Sequence, residues 1–183
     1  MSLREEYEVI EALPTTSATV RLDLARPAGS SGPATVVLKS PVRIVGVDDP
    51  EDVTRRHRAF CRSCDVWRSV SESRHWVTVR DFTATPTEAL LVTDRFDRNL
   101  TGLRRTGLLD SDALRRIALG VLDGIRDLQD ACHRGHGRIS TANILVRRKG
   151  RRAIGEIGLT DSAPVAPPPT GDLRDLGLVI WSV

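Results

Sequence analysis

The spacing of apolar residues changes period several times along the chain. Residues 7–13 (YEVIEAL), 18–25 and 34–40 are rich in apolar and β-branched positions and are broken by Pro14-Thr15-Thr16 and by the Gly/Pro/Ser stretch 27–33. That pattern predicts three antiparallel strands in a meander. Residues 49–73 are highly charged, yet Val53, Phe60, Cys64, Trp67 and Val70 recur close to every three to four positions, which predicts an amphipathic helix. Residues 76–83 and 88–93 return to strand-forming composition on either side of Thr85-Pro86-Thr87, a second hairpin. The first half thus reads as five strands and one helix.

The second half is mostly helical. A polar connector, 94–99, leads to a short helix at 100–103, and Asp110-Ser111 caps a long helix that runs to about Cys132. Leu114, Ile117, Ala118, Val121, Leu122, Ile125 and Leu128 make its expected buried stripe. Residues 144–146 and 153–157 flank the basic turn 147–152 and predict a third hairpin; a proline-rich loop, 163–169, then precedes a final helix, 172–183. No internal repeat is present.

Composition narrows the classes of function. With 183 residues, 40% hydrophobic and 28% charged, the chain buries one sizeable core or two small lobes. The net charge of +3 comes from 27 basic and 24 acidic residues that are interspersed, so no nucleic-acid partner is expected. Only Lys39 and Lys149 are lysines, which makes each conspicuous. No apolar run approaches the roughly 20 residues that span a bilayer, and the N-terminus has no signal-peptide pattern, so a cytoplasmic protein without membrane contact is expected. Three cysteines argue against a disulfide framework.

Two clusters invite a ligand and have a plainer reading. His57, Cys61 and Cys64 share a helical face, but one C-x-x-C without a second pair is a weak metal signal, and such thiols usually pack as small hydrophobes, so no metal site is assigned. The basic run 147–152 reads as a solvated hairpin tip before it reads as an anion site. His133 and His136 have no accompanying Ser or Cys nucleophile constellation.

The stretch 136–146, HGRISTANILV, resembles the protein-kinase catalytic loop H-R-D-L-x-x-x-N, in which the Asp orients the substrate hydroxyl and the Asn holds a metal ion. His136, Asn143 and the apolar 144–146 fall in register, which puts Arg138 at the catalytic Asp position and Gly137 at the Arg position. Val36-Val37-Leu38-Lys39 resembles the strand that carries the phosphate-pairing lysine, and Glu156-Ile157-Gly158, thirteen residues after Asn143, is similar to D-F-G. Thr93 falls at the gatekeeper position with 94–96 as the hinge, and Asp172 opens what looks like the central helix, whose first Asp supports the catalytic loop.

The resemblance implies an α+β, two-lobed protein-kinase-like fold: a five-stranded N-lobe with one helix over residues 1–96, and a truncated helical C-lobe over 97–183 that ends in the central helix. The departures from the family pattern set the expected function. The positions of the phosphate-loop glycines are Leu13, Thr15 and Ala18, with Pro14 removing an amide donor. The helix residue that should pair with Lys39 is Cys64, with Asp65 beside it as a shorter substitute pointing about 100° away. Arginine at 138 is donor-only and permanently charged, so it cannot accept the substrate hydroxyl's hydrogen bond. Pointing inward, Arg138 would pair with Glu156. Fifteen residues between Glu156 and Asp172, four of them prolines, leave no room for a usual activation loop, with Ala166-Pro167 as the remnant of A-P-E.

No catalytic residue is therefore expected to be intact, and the chain reads as a pseudokinase, a protein-binding or regulatory module. The alternative is a divergent Ser/Thr kinase or nucleotide-binding domain that uses Lys39, Asn143 and Glu156. No cofactor is required on the first reading, and ATP with Mg²⁺ would bind weakly on the second. The expected partner is another protein or the remainder of a larger kinase system, with self-association through the final helix, where Ile180 and Trp181 are left uncovered.

Overall fold

The computed structural model describes residues 2–15, 17–42, 49–106, 109–150, 153–165 and 170–183. Its contacts divide the chain into two units, Met1–Cys64 with Val79–Arg95, and Asp65–Thr78 with Phe96–Val183. A single cut after residue 96 does not describe this division, because the segment Asp65–Thr78 makes its contacts with the second unit. The architecture is α+β.

In the first unit, β1 (Tyr7–Leu13), β2 (Val20–Pro27), β3 (Val36–Pro41), β4 (Val79–Ala84) and β5 (Ala89–Asp94) form an antiparallel sheet in the order β1-β2-β3-β5-β4. Helix α1 (Pro50–Ser69) lies between β3 and β4 in the chain. Strands β3 and β5 are the apolar centre of the sheet: Leu91 and Val92 are fully buried, and Ala25, Val36, Leu38, Leu90 and Val92 form one cluster. Leu3 and Tyr7 pack against that cluster, brought there by a 3-10 turn, Leu3–Glu6, that Ser2 and Glu5 cap reciprocally. Asp23, buried on β2, is neutralised by Arg4 of that turn at 3.1 Å and by Arg21 at 2.8 Å.

The second unit is built on α3 (Ser111–Cys132), which Asp110 caps by accepting the Ala113 amide. A three-stranded sheet of β6 (Arg98–Asn99), β7 (Ile144–Lys149) and β8 (Ala153–Leu159) accompanies it, together with α2 (Leu100–Arg104) and α4 (Thr170–Ser182). Glycines let α3 approach β8. A methyl group on Gly124 would lie 2.8 Å from Leu159 Cδ1, and one on Gly120 would lie 3.0 Å from Ile157 Cδ1.

The segment after α1 completes this packing. Trp76 is not the start of a strand, as its composition predicts; it forms an isolated parallel bridge with Leu159, and β4 begins at Val79. The Leu159 amide donates to the His75 carbonyl at 2.9 Å, and the Val77 amide donates back to Leu159 at 3.1 Å. The Trp76 indole N–H donates to the Gly124 carbonyl at 2.8 Å, while Ser73 and His75 both bond the Asp127 carboxylate. On α3 the expected stripe holds except at Leu122, which is exposed together with Leu119.

Candidate functional site

The loop between α3 and β7 is organised by two buried polar groups. His133, in the left-handed conformation, ends α3, and the chain turns into His136 and Gly137, the latter with φ of 70°, where glycine carries no steric penalty. The Asp172 carboxylate, at the start of α4 and 1% exposed, accepts the amides of His136 at 2.5 Å and Gly137 at 2.7 Å. Burial raises the Asp172 carboxyl above its ordinary range, and the two amide bonds oppose that shift. The supporting role expected for Asp172 is thus present in the geometry.

The His136 ring is fully buried and stacks on Trp76, with ring centroids 5.4 Å apart. Its Nδ1 accepts the Arg138 amide at 3.2 Å, so Nε2 carries the proton and donates to the Thr160 carbonyl at 3.0 Å. Burial pushes its pKa down to about 4, with the bond to Thr160 opposing and the charges of Arg134 and Arg138 adding to the depression. The ring is a neutral strut rather than a proton carrier. Asn143 reaches back across the loop and donates from Nδ2 to the Arg138 carbonyl at 2.9 Å.

Arg138 is exposed, with both of its backbone polar groups used inside the loop. It does not pair with Glu156, as the spacing suggests. Glu156 lies in the middle of β8, opposite Arg147 in the hairpin register, and its carboxylate takes the Arg147 guanidinium at 2.5 Å. That guanidinium also lies 4.5 Å from the Phe96 ring centre.

Nor does Glu156 accompany Asn143. Ile144 pairs with Leu159, three residues further along β8, which is about 10 Å of strand. The Thr160 amide donates to the Asn143 carbonyl at 3.1 Å, and the next residue is Asp161, with φ of 64°. The acidic residue whose stretch of backbone adjoins Asn143 is therefore Asp161, eighteen positions on from it rather than thirteen. The sign that a reading of the sequence passes over is the end of the apolar run at Leu159, after which Thr160-Asp161 leaves the strand.

In the first unit, Lys39 on β3 and Thr93 on β5 are both buried, and the Thr93 hydroxyl donates to the Val37 carbonyl at 3.5 Å. Cys64 is buried on α1, whereas Asp65 is exposed and lies 3.7 Å from Arg68. Between β1 and β2, the Thr15 hydroxyl accepts the Ser17 amide at 3.1 Å and the Ser17 hydroxyl accepts the Thr19 amide at 3.3 Å. Amides that a glycine loop would aim at phosphate are here consumed locally. His57 and Cys61 are 3.9 Å apart, but no three of His, Cys, Asp and Glu gather into a metal site among the described residues. Ala166-Pro167 and the basic positions 151–152 lie outside the described residues.

No protein-family description matches the chain, and no curated protein matches it. Among solved structures it is similar to the Cydia pomonella granulovirus kinase PK-1, with a TM-score of 0.71 at 17% identity over 97% of this chain and 68% of that one. The fold is protein kinase-like. At this identity the likeness extends to the fold and not to the activity. Within that fold, the loop residue His136 and Asn143, just before β7, both bond the backbone of Thr160, the residue before Asp161.

Proposed function

We propose that this kinase-like domain does not transfer phosphate and acts by binding, as a protein-binding or regulatory module. Arg138 is the observation that carries this reading. The loop around it is fully built, from the His136 strut to the Asp172 carboxylate, yet at the position that must accept a hydroxyl's hydrogen bond it offers an exposed group that only donates. The local capture of the Ser17 and Thr19 amides supports the same reading, since little backbone is left to hold a triphosphate.

The test is phosphate transfer from labelled ATP with Mg²⁺ to the chain itself and to a generic protein acceptor. No labelled product is expected, and label that appears with the wild type and vanishes with Lys39→Ala overturns the proposal.

A second reading is favoured by Asp161. An Asp that follows the backbone bond between Thr160 and Asn143 supplies a metal-ligating residue type more credibly than Glu156, which Arg147 already pairs. On this reading the domain binds ATP with Mg²⁺ weakly and uses it as a structural ligand. A rise in Tm with MgATP that is lost in both Lys39→Ala and Asp161→Asn supports it, and an unchanged Tm at millimolar ligand rejects it.

The partner on either reading is another protein, in the form of the rest of a kinase system or a second copy of this chain. Helix α4 supports a protein contact: Leu173, Gly177 and Trp181 recur every four residues on its outer side, and Trp181 is 91% exposed.

A further inference from the structure

Residues 160–164, which follow β8, are tied to the loop before β7 at nearly every step. The Thr160 amide donates to the Asn143 carbonyl, and the Thr160 carbonyl accepts the His136 Nε2 proton. The Ala163 amide donates to the His136 carbonyl at 2.8 Å. Ser162 and Ala163 are buried. Arg134, a half-buried residue just beyond α3, then reaches across the segment: one terminal nitrogen donates to the Ala163 carbonyl, the other to the Pro164 carbonyl at 3.4 Å, and Nε donates to its neighbour Gly135 at 3.3 Å.

We propose that Arg134 is the positioning residue of the turn that carries Asp161, a permanent clamp that holds this turn in one conformation. A single planar guanidinium meets two successive carbonyls, a geometry its fixed fork satisfies and an ammonium does not. The left-handed backbone at Asp161 is disfavoured for any side chain with a Cβ and persists only where its surroundings determine it. The bonds from Arg134 and His136 flank Asp161 on the C-terminal and N-terminal sides and supply that determination.

The residue after Asp161 is Ser162, small and buried, and the face of His136 is covered by Trp76. A turn with no bulky residue to swing, and with its carbonyls held by arginine, stays in one state. The inference concerns backbone conformation and stands whether or not nucleotide binds.

Amide hydrogen exchange on the full chain tests it. In the wild type the hydrogen-bonded amides within 160–165, those of Thr160 and Ala163, are expected to exchange slowly, and Arg134→Ala is expected to speed them by at least about ten-fold. Arg134→Lys restores one bond and should fall between the two. Val121→Ala, a core truncation on α3, provides a control of general destabilisation and should leave the ratio of exchange in 160–165 to exchange in α3 unchanged. Fast exchange of this segment in the wild type, no change on Arg134→Ala, or the same segment-specific acceleration in Val121→Ala each overturns the proposal. Should Arg134→Ala not fold, Arg134→Lys alone decides it by the same comparison.

Discussion

A neutral imidazole at the centre of the loop makes acid sensitivity a property of one residue. The native pKa of His136 is depressed from 6.5 to about 4, so its contribution to stability is complete above pH 6.5 and is lost as the pH falls toward 4. That loss is about 2 kcal/mol by pH 5 and about 3 kcal/mol in full. Asp172 runs the other way: its raised pKa favours the native state at low pH and withdraws that support as the pH rises, which partly offsets the histidine. The difference in urea-unfolding free energy between wild type and His136→Gln isolates the histidine, and it should narrow by about 2 kcal/mol between pH 7.5 and pH 5. A constant difference over that range counts against a neutral, buried ring. For Asp172→Asn, one of the two amides at His136 and Gly137 loses its acceptor, and a cost of about 1–3 kcal/mol is expected at pH 7, read from the shift in the urea midpoint. At this scale the sequence is legible where a motif is local. His136, Asn143 and Arg138 lie within eight residues, so their register survives. Glu156 lies across a hairpin from Asn143, and spacing along the chain does not carry cross-strand register; Asp161 becomes visible only once that register is known.

Glycines decide how the elements meet. Gly124 sits mid-helix, where alanine would gain roughly 1 kcal/mol of helix propensity, yet its methyl group would meet Leu159 at 2.8 Å and the His75 carbonyl at 3.2 Å. Overpacking typically costs about 1–3 kcal/mol, so Gly124→Ala should lower stability, whereas Gly177→Ala in α4, with nothing within 4 Å, should raise it by about 0.5–1 kcal/mol. Thermal unfolding of the two variants gives opposite signs if the helix contacts are as described, and equal signs refute them. Elements with a strong period were legible, above all α1, α3 and the strands β1, β3 and β5. Strand β6 was not, because Arg98 and Asn99 become a strand only by pairing with Val146 and Leu145. The same holds for Trp76, whose β-type composition is satisfied by a single bridge to a residue far along the chain. Leu122 followed the helical period onto the stripe and is nonetheless exposed, because periodicity marks a direction around the helix and not the width of what packs there.

For the molecule as a whole, the outer side of α4 is the feature that bears on assembly. Replacing Trp181 by glutamate removes its largest apolar group from water without touching Asp172, Leu176 or Val179, which face inward. If this side mediates self-association, sedimentation velocity should shift toward monomer in Trp181→Glu with Tm unchanged, and an identical distribution for wild type and variant excludes it. No described helix is long and apolar enough to cross a membrane. Trp76 carries one more consequence, for biosynthesis. Its bridge partner, Leu159, is made 83 residues later, which at translation rates of about 5–20 residues per second is a wait of roughly 4–17 s. During that interval the indole and Val77 lack the strand that they bridge, so the nascent chain presents this apolar segment at the ribosome until β8 emerges.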